Sequence, residues 1–147
     1  MKPVRNNGDS GSKKWGVAAM GGFQPVPHVL LMKQRELDLD SLDMVVLLNL
    51  TSYWWFRNQP PFLRTDLIAS RAGVTSRTIQ RVIRKLQVKG YVRREKWTDA
   101  KGDTRPAIFF EGLIRKLEDL TRSDPMLNER LNKALARNAN EQQMEVA

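Results

Sequence analysis

The sequence predicts a mostly α-helical fold with one small β-hairpin, and three observations lead to this prediction. Two helical patterns follow each other directly between Arg64 and Val88. Two short strand-like segments then flank a glycine-containing loop at 99–103. Between Arg64 and Pro106 there are twelve lysines and arginines against four acidic residues, which makes eight of the chain's nine net positive charges. Charge focused in this way indicates a polyanionic partner.

The composition favours one compact domain with tails. The chain has 147 residues, of which 41% are hydrophobic, enough for a single core. It has no cysteine, which excludes disulfides, thiol nucleophiles and thiolate metal sites. Its longest apolar run, Met44 to Leu48, is far shorter than the roughly 20 residues of a membrane span, and the N-terminus lacks a signal-peptide core. We therefore expect a cytoplasmic protein without a membrane partner.

The N-terminal region changes character along its length. Residues 1–22 are rich in small and polar residues and show no helical or strand period, so we expect a flexible basic arm. The stretch from Phe23 onward turns apolar and leads into a short helix near His28 to Lys33.

A long buried helix is predicted from about Ser41 to Arg57. Ser41 is the expected N-cap, and Asp40 and Asp43 place negative charge at the helix start, where free backbone N–H groups favour it. This placement makes capping a better explanation than a metal site for the nearby aspartates, Asp38 included. Proline at 60 and 61 ends the pattern.

Two capped helices joined by a glycine turn come next. Thr65 is expected to cap a short helix to about Arg71, and Thr75 a longer one to about Val88. Two helices that pack steeply need a small residue at the contact and a turn residue that tolerates left-handed backbone angles. Ala69 and Gly73 stand at these places, and the expected locking residues are Val74, Ile79 and Val82. The pattern indicates a helix-turn-helix.

The remaining segments form a hairpin and two helical stripes. Residues 91–97 and 105–110 are predicted to pair around the 99–103 turn, with Pro106 at a strand start or edge. Residues 111–138 are expected to be helical, with a stripe at Leu113, Leu117 and Leu120 and another at Leu127, Leu131 and Leu135. The second stripe could cover its own domain or a second copy; we expect a homodimer. Residues 139–147 are expected to be frayed.

The segment from Leu63 to Val92 resembles the winged helix-turn-helix of bacterial transcription regulators and of phage and plasmid replication-initiation proteins. Residues 74–81 and the helix exit at 86–91 carry the resemblance most strongly. Residues 23–31 and 39–48 are also similar to the lead-in of the replication branch. The resemblance covers roughly residues 23–110 and implies a winged helix-turn-helix domain that binds double-stranded DNA, with residues 111–138 as additional C-terminal helices.

In such proteins the second helix enters the major groove with its outward residues. The outward set here is Thr75, Ser76, Arg77, Gln80, Arg81 and Arg84. Arginine offers paired donors to guanine, and glutamine can pair with adenine. The residues expected at the DNA backbone and in the wing are Arg64, Thr65, Arg71, Arg94, Lys96, Lys101 and Arg105. Because side chains alternate along a strand, Arg93 is expected to point away from Arg94 and Lys96.

We predict no catalytic residue, metal or cofactor. His28 is the only histidine, and no cysteine could join it as a ligand. Residues 8–14 superficially suggest a phosphate loop but lack a preceding strand and the Gly-Lys-Ser/Thr ending. The protein is therefore not expected to be an enzyme.

Two DNA-binding roles fit the sequence. The first is a transcriptional regulator that occupies an operator, which a chain of this small size favours. The alternative is a plasmid or phage replication or partition factor that binds origin repeats and recruits a protein partner through its C-terminal helices. A third possibility is an interaction module whose basic face binds an acidic protein. Both DNA-binding roles place the protein at the nucleoid.

Overall fold

The computed structural model describes residues 14–146, which form six α-helices and one two-stranded hairpin. The helices are α1 (His28–Met32), α2 (Ser41–Thr51), α3 (Thr65–Ala72), α4 (Ser76–Val88), α5 (Glu111–Ser123) and α6 (Pro125–Val146). Strands β1 (Arg93–Thr98) and β2 (Thr104–Phe109) lie between α4 and α5. This order confirms the predicted winged helix-turn-helix with C-terminal helices. None of the described helices has the length and apolar character needed to cross a membrane.

The turn between α3 and α4 has the predicted chemistry. Gly73 adopts the left-handed conformation with φ +69°, and the N–H of Val74 donates to the Ala69 carbonyl at 3.1 Å. Thr75 caps α4, since its Oγ1 accepts from the N–H of Thr78 at 3.2 Å. The prediction that Thr65 caps α3 is wrong, because Thr65 is already its first residue. The N-cap is Arg64, and the N–H of Leu63 just before it donates to the β2 carbonyl of Pro106 at 2.9 Å.

Helix α2 begins with a reciprocal pair of aspartates. The N–H of Asp43 donates to Asp40 Oδ1 at 2.8 Å, and the N–H of Asp40 donates to Asp43 Oδ2 at 3.0 Å. Each carboxylate thus satisfies one N–H group that the helix start leaves free. The cap is Asp40 rather than the predicted Ser41, which is the first helical residue.

The same helix ends at Thr51, six residues before the predicted end at Arg57. Thr51 Oγ1 donates to the Leu48 carbonyl at 3.2 Å, and Ser52 Oγ donates to the Asn49 carbonyl at 2.6 Å. Hydroxyl groups that bond to the backbone in this way compete with the helical ladder. Tyr53, Trp54 and the following aromatic residues therefore lie in an irregular segment, whereas the sequence predicted that they belong to the helix.

A third chain segment borders the hairpin. Ala107 of β2 forms a bridge with Phe62 on the side away from β1. Pro106 is the third residue of β2 rather than its first, and its carbonyl points to this bordering segment, where it accepts from Leu63 at 2.9 Å. The missing proline N–H therefore costs no hydrogen bond to β1, which explains why proline is tolerated here.

The C-terminal helices share one core with the helix-turn-helix. Leu113 of α5 and Leu127 of α6 are buried in the same cluster as Ile79 and Leu86 of α4. At the start of α5 the backbone passes so close to the exit of α4 that a Cβ on Gly112 would lie 1.8 Å from the Gly90 carbonyl oxygen. This contact fixes α5 against the end of α4.

Both predicted tails contain regular structure. Residues Gly16–Gly21 form a 3-10 helix with Ala19 buried, where a structureless arm was expected; the first thirteen residues of that arm lie outside the described residues. Helix α6 continues to Val146 and so includes residues 139–146, for which a frayed tail was predicted. Its sequence after Pro125 has no glycine or proline and consists mainly of good helix formers, which accounts for its length.

Candidate nucleic-acid interface

Helix α4 separates an apolar face from a basic one. Ile79, Val82, Ile83 and Leu86 are buried at helical spacing. The four predicted long side chains of the outward set are exposed: Arg77, Gln80, Arg81 and Arg84. The predicted division of the helix into inward and outward residues is therefore observed.

A single groove joins this basic face to the wing. It is lined by Arg77, Gln80, Arg81, Ile83, Arg84, Gln87 and Arg94. Arg94 reaches it because it pairs across the hairpin with the buried Ile108, and cross-strand partners share a face. We call this the α4 groove. No acidic residue lines it.

The arginines of the α4 groove have no acidic partner within the described residues. The ion pairs of residues 14–146 use other basic residues, and they leave out Arg77, Arg81, Arg84 and Arg94. Four uncompensated positive charges around one groove create an electropositive surface that favours an anion.

Three other basic residues form ion pairs with acidic residues of the same chain. Lys85 binds Asp43, whose side chain is 1% exposed, at 2.8 Å, and Lys89 binds Asp38 at 3.2 Å. The hydrogen bond to Asp43 raises the pKa of Lys85 above its ordinary value. These lysines hold the end of α4 against the α2 region.

Arg93 is the third neutralised residue. It lies 2.6 Å from Glu95 and 3.0 Å from Glu111, and its guanidinium stacks 4.2 Å from the ring centre of Phe109. The hydrogen bond to Glu95 raises the pKa of Arg93. Arg93 and Arg94 therefore lie on opposite faces of β1, as predicted.

The two hydroxyl residues at the start of α4 have structural partners. Thr75 caps the helix, and Ser76 Oγ donates to Asp66 Oδ1 on α3 at 2.6 Å. Both residues therefore stabilise the helix-turn-helix. Their predicted contact with DNA would be a second role beside this structural one.

The wing carries two further predicted residues. Lys96 lies opposite Pro106, on the same hairpin face as Arg94, and is exposed. Lys101 is exposed in the turn, which Asp99 orders by accepting from the N–H groups of Lys101 and Asp103, each at 2.9 Å. The tip of the hairpin thus presents a lysine on an ordered turn.

The remaining predicted residues lie elsewhere. Arg105, also predicted to contact DNA from the wing, pairs with Trp97 and lies on the hairpin face opposite Arg94, so the structure does not bring it together with Arg94 and Lys96. The cause is strand alternation, since 105 and 107 share one face while 106 and 108 share the other. Arg105 lines a second groove together with Arg64.

Arg71 and Thr65, both on α3, are also outside the α4 groove. The Arg71 guanidinium donates to the hydroxyl of Tyr53 at 2.7 Å and lies 5.4 Å from its ring centre. Thr65 is half-buried at the helix start. The predicted backbone set therefore does not form one surface with the α4 groove.

Sequence reasoning missed Gln87 as a member of the α4 groove. It follows Gln80 by seven residues, which is two helical turns, so the same outward face could have been extended to it. The pairing of Lys85 with Asp43 was also missed, since 42 residues separate the partners.

Residues 26–126 match the sequence model of the DnaD N-terminal domain. The chain belongs to the DnaD N-terminal domain family. The match begins just before α1 and ends within the first turn of α6, so this DnaD N-terminal domain includes α5 in addition to the helix-turn-helix and wing. No match to a curated protein is significant.

The DnaD N-terminal domain is similar to solved winged-helix structures. A possible transcriptional regulator from Methanosarcina mazei Go1 shares 20% identity over 71% of this chain and 82% of that chain, with a TM-score of 0.40. A MepR variant of S. aureus bound to an oligodeoxyribonucleotide shares 19% identity over 79% of this chain and 86% of that chain, with a TM-score of 0.43. A MarR crystal structure shares 18% identity over 99% of this chain and 95% of that chain, with a TM-score of 0.36.

Proposed function

We propose that this protein binds double-stranded DNA through the α4 groove. The observation that carries the proposal is the set of four arginines, Arg77, Arg81, Arg84 and Arg94, that line one groove without an acidic partner in the described chain. Helix α4 supplies three of them from its exposed face and the wing supplies the fourth.

The chemistry of the groove fits the edges of bases and the phosphates beside them. Arg77, Gln80 and Arg81 lie in the N-terminal half of α4, the part of a recognition helix that reaches base edges in the major groove. Arginine can bind guanine through two donors, and glutamine can bind adenine in the same way. In this proposal Arg94, Lys96 and Lys101 of the wing bind the neighbouring phosphates, which position the protein without reading sequence.

For the biological role, we favour a replication factor that binds repeated sites at an origin. Membership of the DnaD N-terminal domain family, together with the lead-in resemblance at residues 23–31 and 39–48, supports this role over an operator-binding regulator. A regulator uses the same interface on DNA, so only the location of the sites separates the two.

A homodimer is part of the proposal. Leu131 is half-buried and Leu135 is 57% exposed on α6, so the apolar stripe of this helix is only partly covered by its own chain. A second copy would cover it and would present two recognition helices to two half-sites. The same helix could alternatively receive a protein partner.

We further propose that the protein acts by binding alone and that it locates to the nucleoid. The sequence has no cysteine and one histidine, which removes thiol nucleophiles and the thiolate and paired-imidazole ligands of transition-metal sites. Both statements depend on the proposed DNA contact.

Selection of bound duplexes from a random library at physiological salt, with light scattering on the recovered complex, tests this function. We expect an enriched inverted repeat that binds two copies of the chain. Several genomic copies at an origin would support the replication factor, and a single copy upstream of its own gene would support the regulator. Equal recovery of all duplexes would overturn sequence-specific binding.

A further inference from the structure

A second groove on the domain combines aromatic rings with arginines. It is lined by Tyr53, Trp55, Gln59, Pro60, Pro61, Phe62, Arg64 and Arg105. We call it the aromatic groove. No acidic residue lines it, so its charge favours an anionic ligand as that of the α4 groove does.

Trp55 is the unusual residue of this groove. Its neighbour Trp54 packs against Phe110 with ring centres 4.8 Å apart, whereas Trp55 is 73% exposed. The next residue, Phe56, is 63% exposed. Adjacent large apolar side chains in water are uncommon on a folded domain unless they contact something else. Trp55 therefore has a free aromatic face at the edge of the groove.

The arginines are already placed against rings. The Arg105 guanidinium lies 5.6 Å from the ring centre of Phe62, and that of Arg64 lies 5.7 Å from the ring centre of Tyr53. Neither makes an ion pair within residues 14–146. A guanidinium that stacks on a ring keeps its N–H donors free at its edge, where a phosphate can accept them.

The aromatic groove is separate from the α4 groove. Arg105 and Arg94 lie on opposite faces of the hairpin, and the two grooves have no lining residue in common. A ligand in one groove therefore does not occupy the other.

We propose that the aromatic groove binds single-stranded DNA. An exposed base stacks on the indole of Trp55, while Arg64 and Arg105 bind the flanking phosphates. This combination of stacking and positive charge is the general means by which proteins hold single strands. A duplex hides the faces of its bases and cannot use Trp55, so the groove selects unpaired DNA.

Fluorescence anisotropy of a labelled oligo(dT) of about 12 nucleotides, within the site size of small single-strand binders, tests the proposal with the full chain. We expect Trp55→Ala to weaken binding by about fivefold or more, as loss of one stacked base does. Trp55→Phe should retain most of the affinity. An abasic strand of the same length should bind the wild type and Trp55→Ala equally, because it offers no base to stack.

Matched controls keep the result specific. The Arg77→Ala/Arg81→Ala double variant should retain oligo(dT) binding, whereas Arg105→Ala should weaken it. Circular dichroism and duplex binding show that Trp55→Ala is folded.

Unchanged oligo(dT) binding by Trp55→Ala, or an equal loss in the double variant, would overturn the proposal. So would displacement of oligo(dT) by polyglutamate at equal charge, which would indicate an acidic protein as ligand. If the wild type bound oligo(dT) but not duplex DNA, only the proposed function at the α4 groove would be refuted.

Discussion

Arg93 and Arg94 are adjacent in the sequence and have different surroundings in the structure. Arg93 is held by Glu95 and Glu111, whereas Arg94 enters the α4 groove beside the arginines of the recognition helix. The strand alternation that separates them gives two neighbouring residues of the same type and charge with different expected functions.

This pair allows a controlled prediction. Arg94→Ala should weaken duplex binding and reduce the dependence of log K on log salt by about one, as expected for one lost phosphate contact. Arg93→Ala removes the same charge and should leave both quantities nearly unchanged. Anisotropy titrations at several salt concentrations measure the two slopes. Equal effects of the two variants would show that only net charge matters.

Asp40 connects the start of α2 to acid stability. The N–H of Asp43, which donates to the Asp40 carboxylate, lowers the pKa of Asp40 below its ordinary value. A carboxylate with a lowered pKa in the folded state stabilises the fold above its ordinary pKa, and this contribution is lost as the pH falls below about 4. Asp124, which caps α6, has its pKa lowered by the N–H of Leu127 and adds to the same trend.

Two substitutions of Asp40 separate capping from charge. Asp40→Ala should lower the free energy of unfolding at pH 7 by about 1 kcal/mol, the usual cost of a lost N-cap. Asp40→Asn keeps an acceptor, so it should retain most of the stability at pH 7 and show a weaker fall between about pH 5 and 3. Urea unfolding across this pH range provides the measurement. An unchanged pH profile in Asp40→Asn would contradict the role of the charge.

At the scale of secondary-structure elements, the contact between Gly112 and Gly90 decides where α5 lies. The N–H of Leu113 donates to the Tyr91 carbonyl at 3.0 Å, which is possible only because no Cβ separates the two backbones. The spacing of leucines predicts helix α5 but not this approach, since nothing local to Gly112 indicates its distant partner.

Gly112→Ala should therefore destabilise the protein by about 1–3 kcal/mol, the usual cost of overpacking. Gly21→Ala is the matched control, because an added Cβ at Gly21 meets nothing within 4 Å and its backbone is not left-handed. It should change the free energy of unfolding by less than about 0.5 kcal/mol. Denaturant midpoints compare the two variants. A Gly112→Ala protein as stable as the control would show that α5 can shift at no cost.

Local signals predicted some elements well and others poorly. Gly73 and Thr75 make their hydrogen bonds within four residues of themselves, so the turn and the start of α4 could be predicted from the sequence. The end of α2 could not, because the apolar pattern continues past Thr51, and the Thr51 hydroxyl also donates to Gln24 Oε1 at 2.9 Å, 27 residues away in the chain.

At the scale of the whole molecule, the sequence predicted how much basic charge this region carries. It did not predict which basic residues are ion-paired and which line each groove. The twelve basic residues between Arg64 and Pro106 form a single group when counted along the chain. In the fold, Asp43 and Glu111 neutralise two of them from distant elements, and the hairpin sends Arg94 and Arg105 to different grooves. Partners separated by tens of residues decide this division, and sequence patterns do not show them.

The proposed homodimer depends on the exposed stripe of α6. Leu135→Glu should convert the dimer to a monomer, because it places a charge where a second copy would cover leucine. Asn140→Glu adds the same charge to a residue that is already polar and exposed, and should leave the dimer intact. Light scattering at several protein concentrations gives the mass of each. A dimer that tolerates Leu135→Glu would place the interface elsewhere.

The most direct test of the central claim is the affinity of wild type, Arg77→Ala and Arg81→Ala for the selected duplex and for a scrambled duplex of equal length. If α4 reads bases, each variant should lose about 1–3 kcal/mol of binding free energy on the selected duplex and less on the scrambled one. Lys101→Ala, at the wing tip, should weaken both duplexes alike. Equal losses on both duplexes for Arg77→Ala and Arg81→Ala would contradict the claim that this helix recognises sequence.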